Sequence, residues 1–315
     1  MIVRKLIVAL LLIMVLGSHP LVGERPRTWS HFVQERGMAR PNFSHKVTVH
    51  AIFQNEARWL KEWIEYHRLI GVDHFLLYNH RSTDGWWAVL SPYIQEGIVE
   101  VVQWSSQPQN IYLAQRRAQD DALRRLRSRS RWVAFIDTDE FIVPVQGESL
   151  PELLADFEQY GGVVVNWRQF GTSGVRELEP DELLIERLVW AERPKGWLGR
   201  MVKSIVQPSK TKQNRNPHWF DYLDPYFAVD TDGKRIDGPS NRNGPNDRLV
   251  INHYYTRTVD WMLGEKTRRA MRRVGVLVRT EEEQLRHLLQ IERETNLVED
   301  RTIHRYLPRL KERMK

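Results

Sequence analysis

From Lys46 to Ile136 two hydrophobic spacings alternate along the chain. "KVTVHAIFQ" (46–54), "HFLLYNH" (74–80), "GIVEVVQW" (97–104) and "WVAFI" (132–136) are short apolar, β-branched or aromatic runs between polar turns, and each reads as a buried strand. Between them the spacing turns helical. "NEARWLKEWIEYHRLIG" places Leu60, Trp63, Ile64 and His67 on one face and stops at Gly71. A short helix through Trp87 and Leu90 follows the turn "RSTDG", and "NIYLAQRRAQDDALRRLRSRS" carries an imperfect apolar stripe of Leu113, Ala114, Arg117 and Ala118, then Leu123 and Leu126. Strands alternating with helices predict an α/β fold with a mainly parallel sheet.

Farther on, "SLPELLADFEQYGG" predicts a helix with a Ser149/Glu152 capping box, and "VVVNW" (163–167) resumes a strand. Gly171 to Asn246 is irregular and rich in Gly, Pro, Asn and Trp, with a hairpin predicted at "VDTDGKRIDG" (229–238); loops of this length are usually binding loops or lids. "RLVINHYY" (248–255) is a late strand. "TVDWMLGEKTRRAMRR" (258–273) and "TEEEQLRHLLQIERE" (280–294) are helices, the second opening on a Thr280/Glu283 capping box. At the other end, Arg4 and Lys5 precede an apolar run from Leu6 to Leu16, shorter than the about 20 residues that cross a bilayer. Residues 1–22 are therefore expected to be a signal peptide or short membrane anchor, 23–44 a linker or stem, and 45–315 the folded domain.

Composition narrows the chemistry. At 315 residues and 41% hydrophobic the chain can bury a full core. Lys+Arg 47 against Asp+Glu 40 gives a net charge of +7, which suits anionic partners. With no cysteine, disulfides, thiolate metal sites and cysteine nucleophiles are excluded. There is no G-x-x-x-x-G-K-[ST] loop, and no zinc finger or RNA-binding signature, so nucleic acid is not an expected partner.

The sharpest signal is "RWVAFIDTDEFIVP", where Asp137 and Asp139 follow a buried run. In an open parallel sheet, ligands bind outside the carboxyl ends of the strands. In extended geometry, residues two apart point to one side, so the two carboxylates would repel unless a cation lay between them. Hard ions such as Mg²⁺ or Mn²⁺ take oxygen ligands, one or two carboxylates plus substrate phosphates. The expectation is an Asp-x-Asp clamp on a metal–diphosphate; a plain polar turn is the competing reading.

"FQNEARWLKEWIEYHRLIGVDHFLLYNHRSTDG", "FIDTDEFIVP", "VKSIVQPSK", "AVDTDGKRIDGP" and "NHYYTRTVDWMLGEKTRRAM" together resemble glycosyltransferase family 92 and its family 2-like relatives, over about residues 47–310. The resemblance implies a GT-A fold, a Mn²⁺ or Mg²⁺ ion, and an inverting hexosyltransferase. Its donor would be a nucleotide-diphosphate sugar, a UDP-sugar first, and its acceptor a glycan or lipid-linked hydroxyl. It places Phe53, Asn55, Glu56, Asn79, Gln115 and Arg116 at the donor. Asp137 would touch ribose or a metal-bound water, Asp139 the ion, and His253 would be a third metal ligand. Lys203 would meet the diphosphate or stand as a strand-edge lysine, and His218 matches a family histidine. Glu186 is the expected general base, with Asp181 and Asp221 as rivals. Trp167, Trp197 and Trp219 are expected as a group to face sugar rings.

Two other classes remain at this stage: a metal-dependent nucleotidyltransferase, and a non-catalytic basic protein attached to a membrane through its N-terminal segment. The resemblance would place the protein in the Golgi lumen if eukaryotic and at the cytoplasmic face if bacterial.

Overall fold

A computed structural model describes residues 43–105, 111–147, 149–266, 268 and 280–315. The expected signal or anchor, nearly all of the linker, and most of the second half of the helix expected over 258–273 lie outside the described residues. The domain considered below is the unit Asn42–Lys315. Among the described residues no helix is long and apolar enough to cross a membrane.

The strands, in chain order, are β1 His45–Phe53, β2 His74–Asn79, β3 Val99–Gln103, β4 Ser130–Phe135, β5 Glu140–Pro144, β6 Gly162–Gln169, β7 Trp190–Ala191, β8 Val202–Val206, β9 Thr211–Asn216, β10 Trp219–Tyr222, β11 Ala228–Val229, β12 Arg235–Ile236, β13 Leu249–His253 and β14 Val298–Glu299. The helices are α1 Ala57–Leu69, α2 Trp86–Gln95, α3 Ile111–Leu126, α4 Leu150–Ala155, α5 Leu184–Arg187, α6 Val259–Leu263, α7 Glu281–Thr295 and α8 Leu307–Met314. The main sheet runs β12-β11-β6-β8-β4-β1-β2-β3, and β13 joins β5 to β6. Its half made of β4, β1, β2 and β3 is parallel, as the strand–helix alternation predicts. The other half is mixed, because β8 runs antiparallel between β4 and β6.

Strands β1, β2 and β4 are buried along nearly their whole length, as a sheet covered on both faces requires, while β3 at the edge is mostly half-buried. On one face Trp63, Ile64, Phe75, Ala134 and Ile142 share a core; on the other Leu76, Tyr78, Phe135 and Phe220 pack with Ala118 and Leu126 of α3. Helix α1 turns off at Gly71, whose φ of +99 suits a residue without a Cβ; a Cβ there would also come 2.7 Å from Pro151. Thr280 and Glu283 form the expected capping box on α7.

Register aligns the carboxyl ends. Phe53 pairs with Asn79 and Asn79 with Gln103, while Phe135 at the end of β4 lies opposite Ser204 in the middle of β8. The loops after β1, β2 and β4 thus open on one edge. β13 contributes its last residue there, since His253 pairs with Glu140 on one side and Gln169 on the other.

Candidate active site

The apolar run of β4 ends at Ile136, and the chain then turns instead of staying extended. Glu140 N donates to Asp137 O at 3.1 Å, closing a tight turn over Thr138 and Asp139 before β5 begins. This corrects the expectation of two aspartates projecting from one side of a strand. The turn sends their carboxylates to different partners.

Asp137 is held by an ammonium. Lys203 Nζ donates to Asp137 Oδ2 at 2.7 Å and lies 3.4 Å from Glu140 Oε1. Asp137 Oδ1 accepts from Gln115 Nε2 at 2.8 Å, and its backbone N–H donates to Glu140 Oε2 at 2.9 Å. The Lys203 and Glu140 side chains are 1% and 0% exposed. Burial alone would favour the neutral amine, but Asp137 and Glu140 outweigh it and raise the Lys203 pKa. Burial pushes the Glu140 carboxyl up to about 7 against the pull of Lys203. Lys203 is accordingly neither a strand-edge lysine nor a side chain open to a diphosphate. It sits on a strand between β4 and β6 and neutralises the acidic turn from beneath.

Asp139 faces the late strand. Tyr254 N donates to its carbonyl at 2.8 Å, and its Oδ1 is 3.6 Å from His253 Nε2. Burial favours the protonated acid, yet the interaction with His253, joined by the charges of Arg257 and Lys266, holds Asp139 well below the usual carboxylate range. On the other side of the ring, Gln169 Nε2 donates to His253 Nδ1 at 2.9 Å, an arrangement that leaves the imidazole proton on Nε2. Turning the Gln169 amide over would reverse this and present a lone pair at Nε2.

A divalent cation fits Asp139 and His253. Two ligands each about 2.1 Å from a Mg²⁺-sized ion can stand up to about 4.2 Å apart, and the observed 3.6 Å falls within that reach. Asp137 is a weaker candidate for a third ligand, because the Lys203 ammonium already offsets its charge and Gln115 and Lys203 each hold one of its oxygens. Among the described residues no group of three or more His, Asp or Glu could hold an ion by itself. An ion here would complete its shell with substrate and water oxygens, the usual habit of Mg²⁺.

The other expected residues divide. Asn55, at φ 56, donates its N–H to Ser82 Oγ and accepts from Thr83 N at Oδ1, while Asn79 accepts from Ser82 N and donates to Gln103. Both tie the loops after β1 and β2 together at the strand ends. Phe53 is 2% exposed with its ring against Trp86, so it belongs to the core. Glu56 is buried and pairs with Arg257 at 2.6 Å. Gln115 reaches Asp137, whereas Arg116 is exposed.

Glu186 forms a 2.5 Å ion pair with Lys311 of α8, which engages the carboxylate expected to act as base. Of its rivals, Asp221 pairs with Arg215 on the β9–β10 hairpin and Asp181 is exposed. The tryptophans separate as well: Trp167 lies 4.4 Å from the His253 ring and 5.0 Å from His218, Trp197 is 54% exposed under Arg200, and Trp219 stands on the hairpin. His218 donates from Nδ1 to the Val202 carbonyl, and burial lowers its pKa to about 3.

Residues assigned no role from the sequence complete the setting. Arg257 lies between Trp59 and Trp261, with its guanidinium 4.9 and 4.5 Å from their ring centroids. Gln169 orients His253, and Glu140 backs Asp137. Arg257 sits inside a recognised motif, but Gln169 becomes visible only through the β6–β13 pairing.

Fold and site together define an α/β domain with a cation-compatible acidic turn at the carboxyl ends of its parallel strands. Its sequence belongs to glycosyltransferase family 92, whose family model matches residues 45–232. It is 28% identical over 222 residues to a glycosyltransferase family 92 protein of Ricinus communis, a match covering 67% of this chain and 35% of that protein. It is 29% identical over 150 residues to the galactan beta-1,4-galactosyltransferase GALS2 of Arabidopsis thaliana, covering 45% of this chain and 29% of that one. The matches thus span about a third of these relatives' length or less. Among solved structures, S. aureus TarS 1-349 aligns with 77% of this chain and 69% of its own at 12% identity and a TM-score of 0.40.

Proposed function

We propose that this protein is an inverting glycosyltransferase that moves a hexose from a nucleotide-diphosphate sugar, UDP first, to a hydroxyl of a glycan acceptor with the help of Mn²⁺ or Mg²⁺. The observation that carries the reading is Asp139 facing His253 at 3.6 Å beside an acidic turn that Lys203 neutralises internally, in a chain of family 92. A relative whose name gives it β-1,4-galactosyl transfer to galactan supports a hexose donor and a glycan acceptor.

Each group has a part. Asp139 and His253 would hold the cation, which when bound offsets charge growing on the departing diphosphate. Gln169 sets the direction of the His253 ring, and Gln115 with Lys203 holds the Asp137 carboxylate in one place for the ribose or a water. Arg257 and Lys266 add positive field toward Asp139. No covalent enzyme intermediate is required, because the acceptor displaces the diphosphate directly.

The test is a panel of UDP- and GDP-hexoses, each supplied with Mn²⁺, with Mg²⁺ and with chelator, to wild type and Asp139→Ala. Slow metal-dependent release of nucleoside diphosphate from one sugar nucleotide by wild type alone is expected. Consumption of nucleoside triphosphates in place of sugar nucleotides would move the protein to the nucleotidyltransferases.

A further inference from the structure

Arginine accumulates where α3 ends and β4 begins: "RRLRSRSR" (124–131) holds Arg124, Arg125, Arg127, Arg129 and Arg131. Arg124 and Arg125 stand in the last turn of α3, where cations suit the helix dipole. The other three lie beyond the helix, up to the start of β4. Hydrogen bonds extend this edge on both sides. His45, the first residue of β1, donates its N–H to the Arg129 carbonyl at 2.9 Å, and Arg127 Nη2 donates to the Thr211 carbonyl at 3.0 Å, next to exposed Lys212 on β9. Chain entry into the fold, the arginine run and the start of the β9–β10 hairpin therefore share one edge, at the opposite end of the parallel strands from the acidic turn.

Charge on this edge is only partly answered. Asp121 pairs with Arg124 and Arg125, Glu100 with Arg125 and Arg129, and Glu158 with Arg131. Arg127 and Lys212 make no ion pair among the described residues; Asp221, whose charge Lys212 shares, is already held by Arg215. Beside these cations the chain exposes apolar side chains. The loop after β10 is tied to the edge by Leu223 N, which donates to Lys210 O at 2.9 Å, and it presents Leu223 at 37% and Tyr226 at 38% exposure. Lys210 Nζ stands 4.8 Å from the Tyr226 ring centroid. Cations flanking exposed leucine and tyrosine match a bilayer interface, where lipid phosphates meet the charge and the headgroup layer takes amphipathic rings.

We infer that, whatever reaction the acidic turn performs, this edge docks on an anionic lipid bilayer, with Arg127 and Lys212 at the lipid phosphates and Leu223 and Tyr226 in the headgroup layer. The place of chain entry favours a bilayer over other polyanions. Residues 6–16 are an apolar run shorter than the about 20 residues that cross a bilayer, and a weak apolar segment needs a second signal, such as a basic face, for stable attachment. Residues 17–44 connect that run to His45, on the edge itself. Docked there, the domain keeps the acidic turn, at the far ends of these strands, open to the aqueous side.

Cosedimentation of the full chain with phosphatidylcholine vesicles, pure or containing about one-third phosphatidylglycerol, tests the docking face. Wild type should partition at least about tenfold more strongly onto the anionic vesicles, and high salt should erase the difference. Arg127→Glu combined with Lys212→Glu should lose that preference while binding to pure phosphatidylcholine stays as in wild type. Lys212→Glu alone, at an exposed strand position, should lose about threefold, so the outcome does not hang on the fold of the double variant. Leu223→Ser with Tyr226→Ser should weaken binding to the anionic vesicles about threefold or more. Arg286→Glu with Arg309→Glu makes the same change in net charge on α7 and α8 and should leave the preference within about twofold. Urea midpoints check that each variant is folded. No preference by wild type, equal loss in the Arg286 and Arg309 control, a preference untouched by Arg127 and Lys212, or tighter Arg127-dependent binding to duplex DNA than to anionic vesicles would each overturn the docking face.

Discussion

Lys203 Nζ donates to Asp137 Oδ2 across 2.7 Å from a side chain that is 1% exposed, with Glu140 Oε1 3.4 Å away on its other side. One ammonium therefore serves two carboxylates, one of them fully buried. Lys203→Met would leave Glu140 buried beside Asp137 with no counter-charge. Breaking a buried pair by removing one partner costs about 3–5 kcal/mol, and the partial exposure of Asp137 lowers the expected loss to about 2–4 kcal/mol. Urea denaturation reads this directly, and adding Asp137→Asn to the variant should recover part of the loss. A Lys203→Met protein as stable as wild type would mean the cluster has another source of neutrality.

The two aspartates differ in what surrounds them, and metal binding should separate them. Asp139→Ala and His253→Ala each remove one of the two ligands proposed above, so Mn²⁺ affinity measured by electron paramagnetic resonance should fall at least about tenfold in each. Asp137→Asn keeps that seat and should change Mn²⁺ affinity by less than about threefold, while lowering turnover through the lost ribose or water contact. Equal weakening by all three would return Asp137 to the ligand set.

Gln169 touches His253 Nδ1 at 2.9 Å and carries no charge, so its effect should run through ring orientation and tautomer. Replacing a group that orients a metal-binding histidine typically weakens metal affinity about 10–100-fold. Gln169→Leu should show that loss, whereas Gln169→Glu, which can only accept from Nδ1–H, should keep Nε2 free for the ion and retain wild-type affinity within a few-fold. Titrations in which Leu and Glu behave alike would mean that the contact is only packing.

Glu186 and Lys311 form a half-exposed ion pair between α5 and α8. Such pairs contribute about 0–1 kcal/mol. Glu186→Gln should therefore lower stability by no more than that and leave turnover within about threefold, against the about 10²–10⁴-fold that removal of a general base costs. A loss in the larger range would restore Glu186 as the base.

Much of the scaffold was readable because it is written locally. β1 to β4 are short runs rich in β-branched, apolar and aromatic residues, α1 carries a clear stripe that ends at a glycine, and the acidic turn stands where a buried run stops. What lay hidden is written in pairs far apart in the chain. The partner of Asp137 is 66 residues away on a strand whose antiparallel entry between β4 and β6 leaves no local signature. Gln169 and His253 are 84 residues apart and meet only through register. The same limit explains Glu186: its neighbourhood resembled a family stretch, but its ion-pair partner lies 125 residues on, at the end of the chain. The assumption of extended backbone through Asp137 and Asp139 failed for a local reason, since Glu140 folds back to close the turn.

His67 leads to the last prediction. Its Nδ1–H donates to the Trp63 carbonyl at 2.8 Å and its Nε2 accepts from Ile142 N at 3.3 Å, a pattern open only to the neutral ring. Burial pushes its pKa down to about 3, and does the same to His50 (about 3) and His74 (about 4), from an ordinary 6.5. Below pH 6.5 the unfolded chain takes up these three protons and the folded one does not, so their contribution is complete above 6.5 and drains away as pH falls toward 4. Glu62 and Glu140 act in the opposite sense. Burial raises both to about 7 from 4.5, so the folded state keeps two protons that the unfolded chain has shed. His218, lowered by burial to about 3, adds a fourth proton taken up only by the unfolded chain. Between pH 4.5 and 6.5 four protons taken up by the unfolded state stand against two kept by the folded state, a net of two. Stability should therefore fall by about 2.7 kcal/mol for each unit of acidification across that window. Urea midpoints at pH 6.5 and pH 5, converted with a common m-value, measure the slope, and His74→Gln should flatten it by removing one of the four protons. A protein that held or gained stability on acidification would show that these rings are charged in the folded state.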